Sequence, residues 1–261
     1  MGNWIANDDF VFTSSIDTVT SLSISALGIS DLTGIEDFTA LEQLFCDSNQ
    51  LGTLDVSNNT ALTILNCGGN QLTSLDVSNN TALTALRCYD NQLTTLDVSQ
   101  NTALTYFWCD FNQLTSLDVS QSTALVFLSC GANQLTSLDV SNNTALDVAY
   151  CPSNNLTSLD VRNGNNTNFA VNNYTGNPNL TCISVDDAVW STANWTVANG
   201  NIDPQHYFSN NCSATAIEEL NTNKTLLKIV DALGRKAKGK NNELLFYIYD
   251  DNTVQKKLIV E

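Results

Sequence analysis

Eight cysteines, a single histidine and a recurring aspartate are the residues of this chain whose types could do chemistry. Six of the cysteines (Cys46, Cys67, Cys88, Cys109, Cys130 and Cys151) stand 21 residues apart. A straight file at that spacing cannot wrap one metal ion tetrahedrally, whereas six small, weakly polar side chains suit a narrow core, so free buried thiols are expected and no metal. Cys182 and Cys212 fall outside the file and are expected to be joined, in a disulfide suited to an oxidising compartment. Asp55, Asp76, Asp97, Asp118, Asp139 and Asp160 make a second file. At strand spacing each neighbouring pair costs roughly 0.9 kcal/mol in water, which weak Ca²⁺ binding would relieve. No loop has the dense ligand spacing of a calcium site, however, and bonds to nearby Ser, Thr or backbone groups are the favoured reading. His206 has no nucleophile motif or phosphate loop to work with and is read as structural. The chain is accordingly expected to be a non-enzyme without a cofactor.

The elements that hold these residues are written five times over. From Leu41 to Ala145 the chain repeats one 21-residue sentence, for example LTALRCYDNQLTTLDVSQNTA from Leu83, and a looser sixth copy begins at Leu146. A fixed period of this length means a stack of coils, none able to bury its apolar side alone. Each half of the sentence alternates with period two, so two short strands per coil are expected, with Leu44, Cys46, Leu51, Leu54, Val56 and their equivalents inward. Asn49 and Asn59, with Asn70, Asn80, Asn91 and later equivalents, sit where the chain turns, and an amide can both donate and accept there. About eight coils are counted.

The copies agree everywhere except on one face. Outward positions of the LDV half repeat almost without change. Those of the Cys half run Gln43, Ile64, Ala85, Tyr106, Phe127, Val148 in one column and Phe45, Asn66, Arg87, Trp108, Ser129, Tyr150 in the next, followed by Asp47, Gly68, Tyr89, Asp110, Gly131 and Pro152. Phe45, Arg87, Tyr89, Tyr106, Trp108, Phe111, Phe127 and Tyr150 are the candidate ligand-binding residues, with Trp108 expected at the centre and Asp90 and Asp110 beside it. Tyr, Trp and Arg dominate interface energies, and aromatic rings also stack on sugars.

The balance of charge excludes some partners. Residues 1–213 hold 20 acidic residues against Arg87 and Arg162, while the remainder holds 7 acids and 8 bases, making the net −17. A surface of that sign repels phosphate backbones and anionic lipid, so no nucleic-acid partner is expected. No run reaches the length of a membrane span, and the opening residues MGNWIANDDF lack the basic and apolar regions of a signal peptide, so a trimmed leader is expected if the protein is secreted.

With those residues set out, the LxxLxCxxNxL half resembles a leucine-rich repeat, and the nested LDVSxN half resembles the 21-residue bacterial subtype. The resemblance implies a mostly β protein, a leucine-rich-repeat parallel β-solenoid used for binding. A small antiparallel β unit is expected after it, because LLKIVDALGRK, LLFYIYDD and VQKKLIVE are three alternating apolar runs, with Asp251 and Asn252 as a hairpin turn. This tail, KIVDALGRKAK from Lys228 and LLFYIYDDNTVQKKLIVE from Leu244, is similar to the C-terminal sorting domain of the type IX secretion system of Bacteroidetes, which implies that machinery as a partner. The expected organisation is an N-terminal cap (1–18), the solenoid (19–185), a C-terminal cap (186–213) and the sorting domain (214–261). It describes a secreted or cell-surface, adhesin-like protein that binds a protein or glycan. The alternatives are a passive surface module and an ice-binding solenoid with Thr73, Thr94, Thr115, Thr136 and Thr157 as its regular column.

Overall fold

The computed structural model describes residues 16–212, 226–231, 244–249 and 254–258. The N-terminal cap lies almost wholly outside them, as do Asp251 and Asn252. Two units are present, 1–212 and 213–261.

In the first unit each of eight coils contributes one three-residue strand to a parallel sheet. These are β1 (Ser21–Ser23), β2 (Gln43–Phe45), β3 (Ile64–Asn66), β4 (Ala85–Arg87), β5 (Tyr106–Trp108), β6 (Phe127–Ser129), β8 (Val148–Tyr150) and β10 (Val171–Asn173). Register is set by the repeat: Leu44, Leu65, Leu86, Phe107, Leu128 and Ala149 stand opposite one another. The middle residue of each strand therefore faces the core, and its neighbours face out.

The second half of the coil is hydrogen-bonded as a strand only towards the C-terminus, in β7 (Ser137–Asp139), β9 (Ser158–Asp160) and β11 (Cys182–Ser184), with β12 (Tyr207–Ser209) outermost. Its rungs run back from β12: Val185 N–H to Ser209 O, Val161 N–H to Ser184 O and Val140 N–H to Asp160 O, at 2.9 Å each. In the earlier coils the same segment buries the same side chains without these rungs. Leu51, Leu54 and Val56 are buried there, as Leu156, Leu159 and Val161 are later, with Leu54 slightly more exposed than Leu159.

The six ladder cysteines are free and buried. Burial pushes the Cys46 and Cys88 thiols up to about 12. Tyr174 takes the cysteine position of the eighth coil and ends the file, fully buried. Both Asn files bind backbone across coils. The Asn70 amide donates to Cys46 O (3.1 Å) and Cys67 O (3.0 Å), and its Oδ1 accepts from Leu51 N–H (3.0 Å). Asn80 donates to Val56 O and Asn59 O, both at 2.9 Å. The first file supplies the donors for the Cys46 and Cys67 carbonyls, while the carbonyls of the second file also accept from backbone, Val56 O from Asn59 N–H and Asn59 O from Leu62 N–H, at 3.0 Å each.

The stretch after Val185, which breaks the sequence pattern, adds a ninth turn to the stack. A short helix, Ala188–Asn194, is capped by Asp187, whose carboxylate accepts from Val189 N–H and Trp190 N–H. Beyond it Tyr174 N–H bonds to Asn201 O, and β12 pairs with β11. Trp195 is the hub, buried against Phe169, Tyr174, Trp190 and Phe208. Cys182 on β11 is disulfide-bonded to Cys212, as expected. The second unit is a three-stranded antiparallel sheet, β13 (Leu226–Asp231), β14 (Leu244–Tyr249) and β15 (Val254–Leu258), matching the three apolar runs. Among the described residues no helix is long and apolar enough to cross a membrane.

Candidate functional site

The outward residues of β4, β5 and β6 converge on one cluster. Tyr106 and Trp108 project from the same strand with ring centroids 5.8 Å apart and planes within 11°. Phe127 lies 4.5 Å from Trp108, and the Arg87 guanidinium carbon sits 4.6 Å above the indole ring. Arg87 belongs to β4 and Phe127 to β6, so they reach Trp108 from opposite sides. Trp108 is thereby half-buried, and its role in the cluster is support. Tyr106 is the ring left open, at 45% exposure.

The other candidates stand apart. Among the described residues the ring contacts of this face run through Tyr106, Trp108 and Phe127, and not through Phe45, Tyr89, Phe111 or Tyr150. Phe45 is half-buried on β2, two coils away from Arg87. Tyr150 is exposed on β8, in register with Ser129. Tyr89 leans towards the preceding coil and covers Gly68, where an added Cβ would lie 2.5 Å from its ring. Pro152 likewise covers Gly131, at 2.9 Å. These two glycines are therefore matched to bulky neighbours on the next coil and are not free variation.

Phe111 occupies a different surface. It sits in a turn where every coil adopts the left-handed conformation: Ala26, Ser48, Gly69, Asp90, Phe111, Ala132, Ser153 and Gly176 all have φ between 51° and 71°. Its ring is 64% exposed. Asp110, expected beside the patch as an exposed charge, is buried instead. Its Oδ1 accepts from Ser129 Oγ (2.6 Å) and Gly131 N–H (2.8 Å), and burial pushes the carboxyl above its ordinary range. The small residues at 129 and 131 make room for it, a coupling visible only once the coils are stacked.

The aspartate file on the LDV half is tied down locally. Asp55, Asp76, Asp97, Asp118 and Asp139 each accept from the backbone N–H two residues on, at 2.8 to 2.9 Å. Bonds from Ser57 hold Asp55 below the usual carboxylate range, and Ser78 does the same for Asp76. Asp160 is held by Arg162, which also donates to Asn210 O in the last turn. Among the described residues no three metal-ligating side chains converge. His206 is buried, its Nδ1 accepting from Asp203 N–H at 3.2 Å and its Nε2 3.4 Å from Asn177 O. These contacts hold the ninth turn against the eighth.

No protein-family model matches the chain, and no curated protein does. Solved structures do. An internalin C2 from Listeria monocytogenes aligns over 76% of this chain and 84% of its own, at 22% identity and a TM-score of 0.55. The fold is that of a leucine-rich-repeat protein. Two further leucine-rich-repeat structures from Listeria monocytogenes match less closely in shape. The functional domain of InlJ, described as including a cysteine ladder, is 28% identical over 66% of this chain, with a TM-score of 0.42. The internalin InlF is 25% identical over 61%, with a TM-score of 0.49. This chain spans about half the length of those two, 49% and 47%.

Proposed function

We propose that this protein binds a protein or glycan ligand on the outer face of its eight-stranded sheet, as an adhesin-like molecule outside the cell, and that it performs no catalysis. The observation that carries this reading is the Arg87, Tyr106, Trp108 and Phe127 cluster. Side chains that could have been uniform, as they are on the LDV half, here assemble an aromatic group with a cation over it, the composition of interface hot spots. The Cys182–Cys212 disulfide supports an oxidising location, since such bonds persist where thiols are not kept reduced. The separate antiparallel unit after residue 213 supports the reading of the tail as a type IX sorting domain.

The test is a binding screen of the full chain against surface proteins and glycans, followed by substitution. Tyr106→Ala and Tyr150→Ala should each lower affinity at least about tenfold without lowering the melting temperature, because both rings are exposed. Asp118→Ala, on the LDV half, should leave binding unchanged. Loss of binding with Asp118→Ala alone would mean that the other face is used.

A further inference from the structure

On the outer face of the eight-stranded sheet the carboxylates of the column flanking the strands are already engaged, Asp47 by Ser25 Oγ and Asn66 Nδ2, and Asp110 by Ser129 Oγ and Gly131 N–H. At the first and third residues of its strands, the outward positions, Arg87 is the single charged side chain. It stands on a stretch, residues 1–213, that carries 20 acidic residues and one other arginine. That other arginine, Arg162, is ion-paired with Asp160. The Arg87 guanidinium, among the described residues, has neither a hydrogen bond nor an ion pair, and is held 4.6 Å above Trp108 instead. A fork packed on an aromatic face keeps its N–H donors in one plane and free, the geometry that matches a carboxylate with two parallel bonds.

What lies beside the fork decides the kind of molecule that brings the carboxylate. Tyr106 stands in register with Ala85, whose methyl is too short to cover the phenol ring. Towards the N-terminal coils the outward residues are Ser21, Ser23, Gln43, Phe45, Ile64 and Asn66, none of them charged, with the Asn66 amide donating to Asp47 and the hydroxyls and Gln43 amide supplying uncharged donors and acceptors. An open ring, uncharged donors and acceptors, and one free cation together suit a polyhydroxylated ring bearing a single acid group.

Resting on the reading of this face as the binding face, we propose that the ligand is a glycan and that Arg87 and Tyr106 form a subsite for a sugar residue carrying one carboxylate. The C–H face of the pyranose stacks on Tyr106, and the carboxylate takes the Arg87 fork. One free cation on the face sets one acid group per site. A polysaccharide charged at every residue would meet the field of the acidic body and is disfavoured.

The probes are sialyllactose, lactose and a galacturonate oligomer, titrated calorimetrically into the full chain at low and moderate salt. Sialyllactose should bind at least about tenfold more tightly than lactose, the scale of one charge-assisted bidentate contact, and more tightly than the polyacidic oligomer. Arg87→Gln should abolish the preference for sialyllactose over lactose. Arg87→Lys should retain part of it, since an ammonium keeps the charge without the fork. Tyr106→Ala should weaken both sugars. Circular dichroism checks that each variant is folded, and if Arg87→Gln is not, Arg87→Lys still reports the fork. Equal affinities for the two sugars, a preference that survives in Arg87→Gln, or no sugar binding at all would overturn the inference. The wider reading of the face fails on a different result: a protein ligand from the screen that Tyr106→Ala and Tyr150→Ala both bind normally.

Discussion

Each turn of this solenoid is held by a side chain that does the work of a strand, and the bonds it makes rank its importance. Asn70 bonds four backbone groups across two coils, Asn80 bonds two, and Ser122, which stands where the second file has Asn, makes one bond of 3.4 Å to Asn101 O. An orphaned buried carbonyl or N–H costs about 1–3 kcal/mol. Asn70→Ala should therefore destabilise most, because it leaves the Leu51 N–H unpaired; Asn80→Ala should cost less, because Val56 O and Asn59 O keep the bonds from Asn59 N–H and Leu62 N–H, and Ser122→Ala about 1 kcal/mol or less. Urea melts of the three variants test the order, and a Ser122→Ala cost matching that of Asn70→Ala would refute it. The thiols make a second prediction at this scale. Burial holds Cys46 and Cys88 at about 12 against an ordinary value of 9.0 and raises Cys67 and Cys109 as well, while a hydrogen bond with Cys151, and then burial, raise Cys130. As pH rises, the unfolded chain loses these protons first. The stability of the neutral thiols is thus complete below pH 9 and is lost between the ordinary value of 9.0 and about 12. Each thiol should steepen that loss by about 1.4 kcal/mol per pH unit. A Cys88→Ala variant should show a shallower alkaline limb. Thiol counting should find six reactive groups after denaturation and none before, the six free cysteines being buried.

At the scale of the strand and its turn, what varies between coils is coupled across them. Gly68 accommodates the Tyr89 ring, and Gly131 accommodates Pro152. Gly68→Ala should push Tyr89 off its seat and cost about 1 kcal/mol, while the double variant with Tyr89→Ala should recover most of that loss. Simple addition of the two single costs in a double-mutant cycle would show that the residues are independent. The same coupling explains why Trp108, expected at the centre of the patch as an exposed anchor, is instead braced by Arg87 and Phe127. Its removal deletes contacts on both sides, so Trp108→Ala is expected to cost about 1 kcal/mol in addition to any loss of binding.

For the whole molecule, two closures matter: the ninth turn over the apolar end of the stack, and the link to the second unit. The Cys182–Cys212 bond spans 30 residues and joins β11 to the chain just beyond β12. Replacing both cysteines with Ser should cost about 3–4 kcal/mol and free the last turn first, which hydrogen exchange at Tyr207–Ser209 would register as early loss of protection. Unchanged protection there would mean that Trp195 and its ring contacts suffice alone. Deleting residues 226–261 should leave circular dichroism of the solenoid intact and remove the protein from the cell exterior. Continued appearance outside the cell would refute the sorting role of the tail.

How much of this was legible in the sequence depends on whether a feature is local or shared between coils. The period, the inward positions, the free thiol file and the Asn files follow from residues repeating at fixed spacing, because a stack imposes the same environment on every copy, while the disulfide was legible from the two cysteines outside the file and the second unit from three alternating apolar runs. Even the degenerate eighth coil was legible, since Asn177 repeats the file's bonds to Cys151 O, Tyr174 O and Leu156 N–H. What only the tertiary structure decided lies between copies. Asp110 is covered because Ser129 and Gly131 of the next coil leave it room and donors, Trp108 is covered because Arg87 and Phe127 flank it, and the stretch after Val185 continues the stack although its residues break the pattern. Spacing within one copy specifies which way a side chain starts out. Where it ends depends on the volume and hydrogen bonds offered by its neighbours 21 residues before and after, and those pairings exist only once the coils are packed.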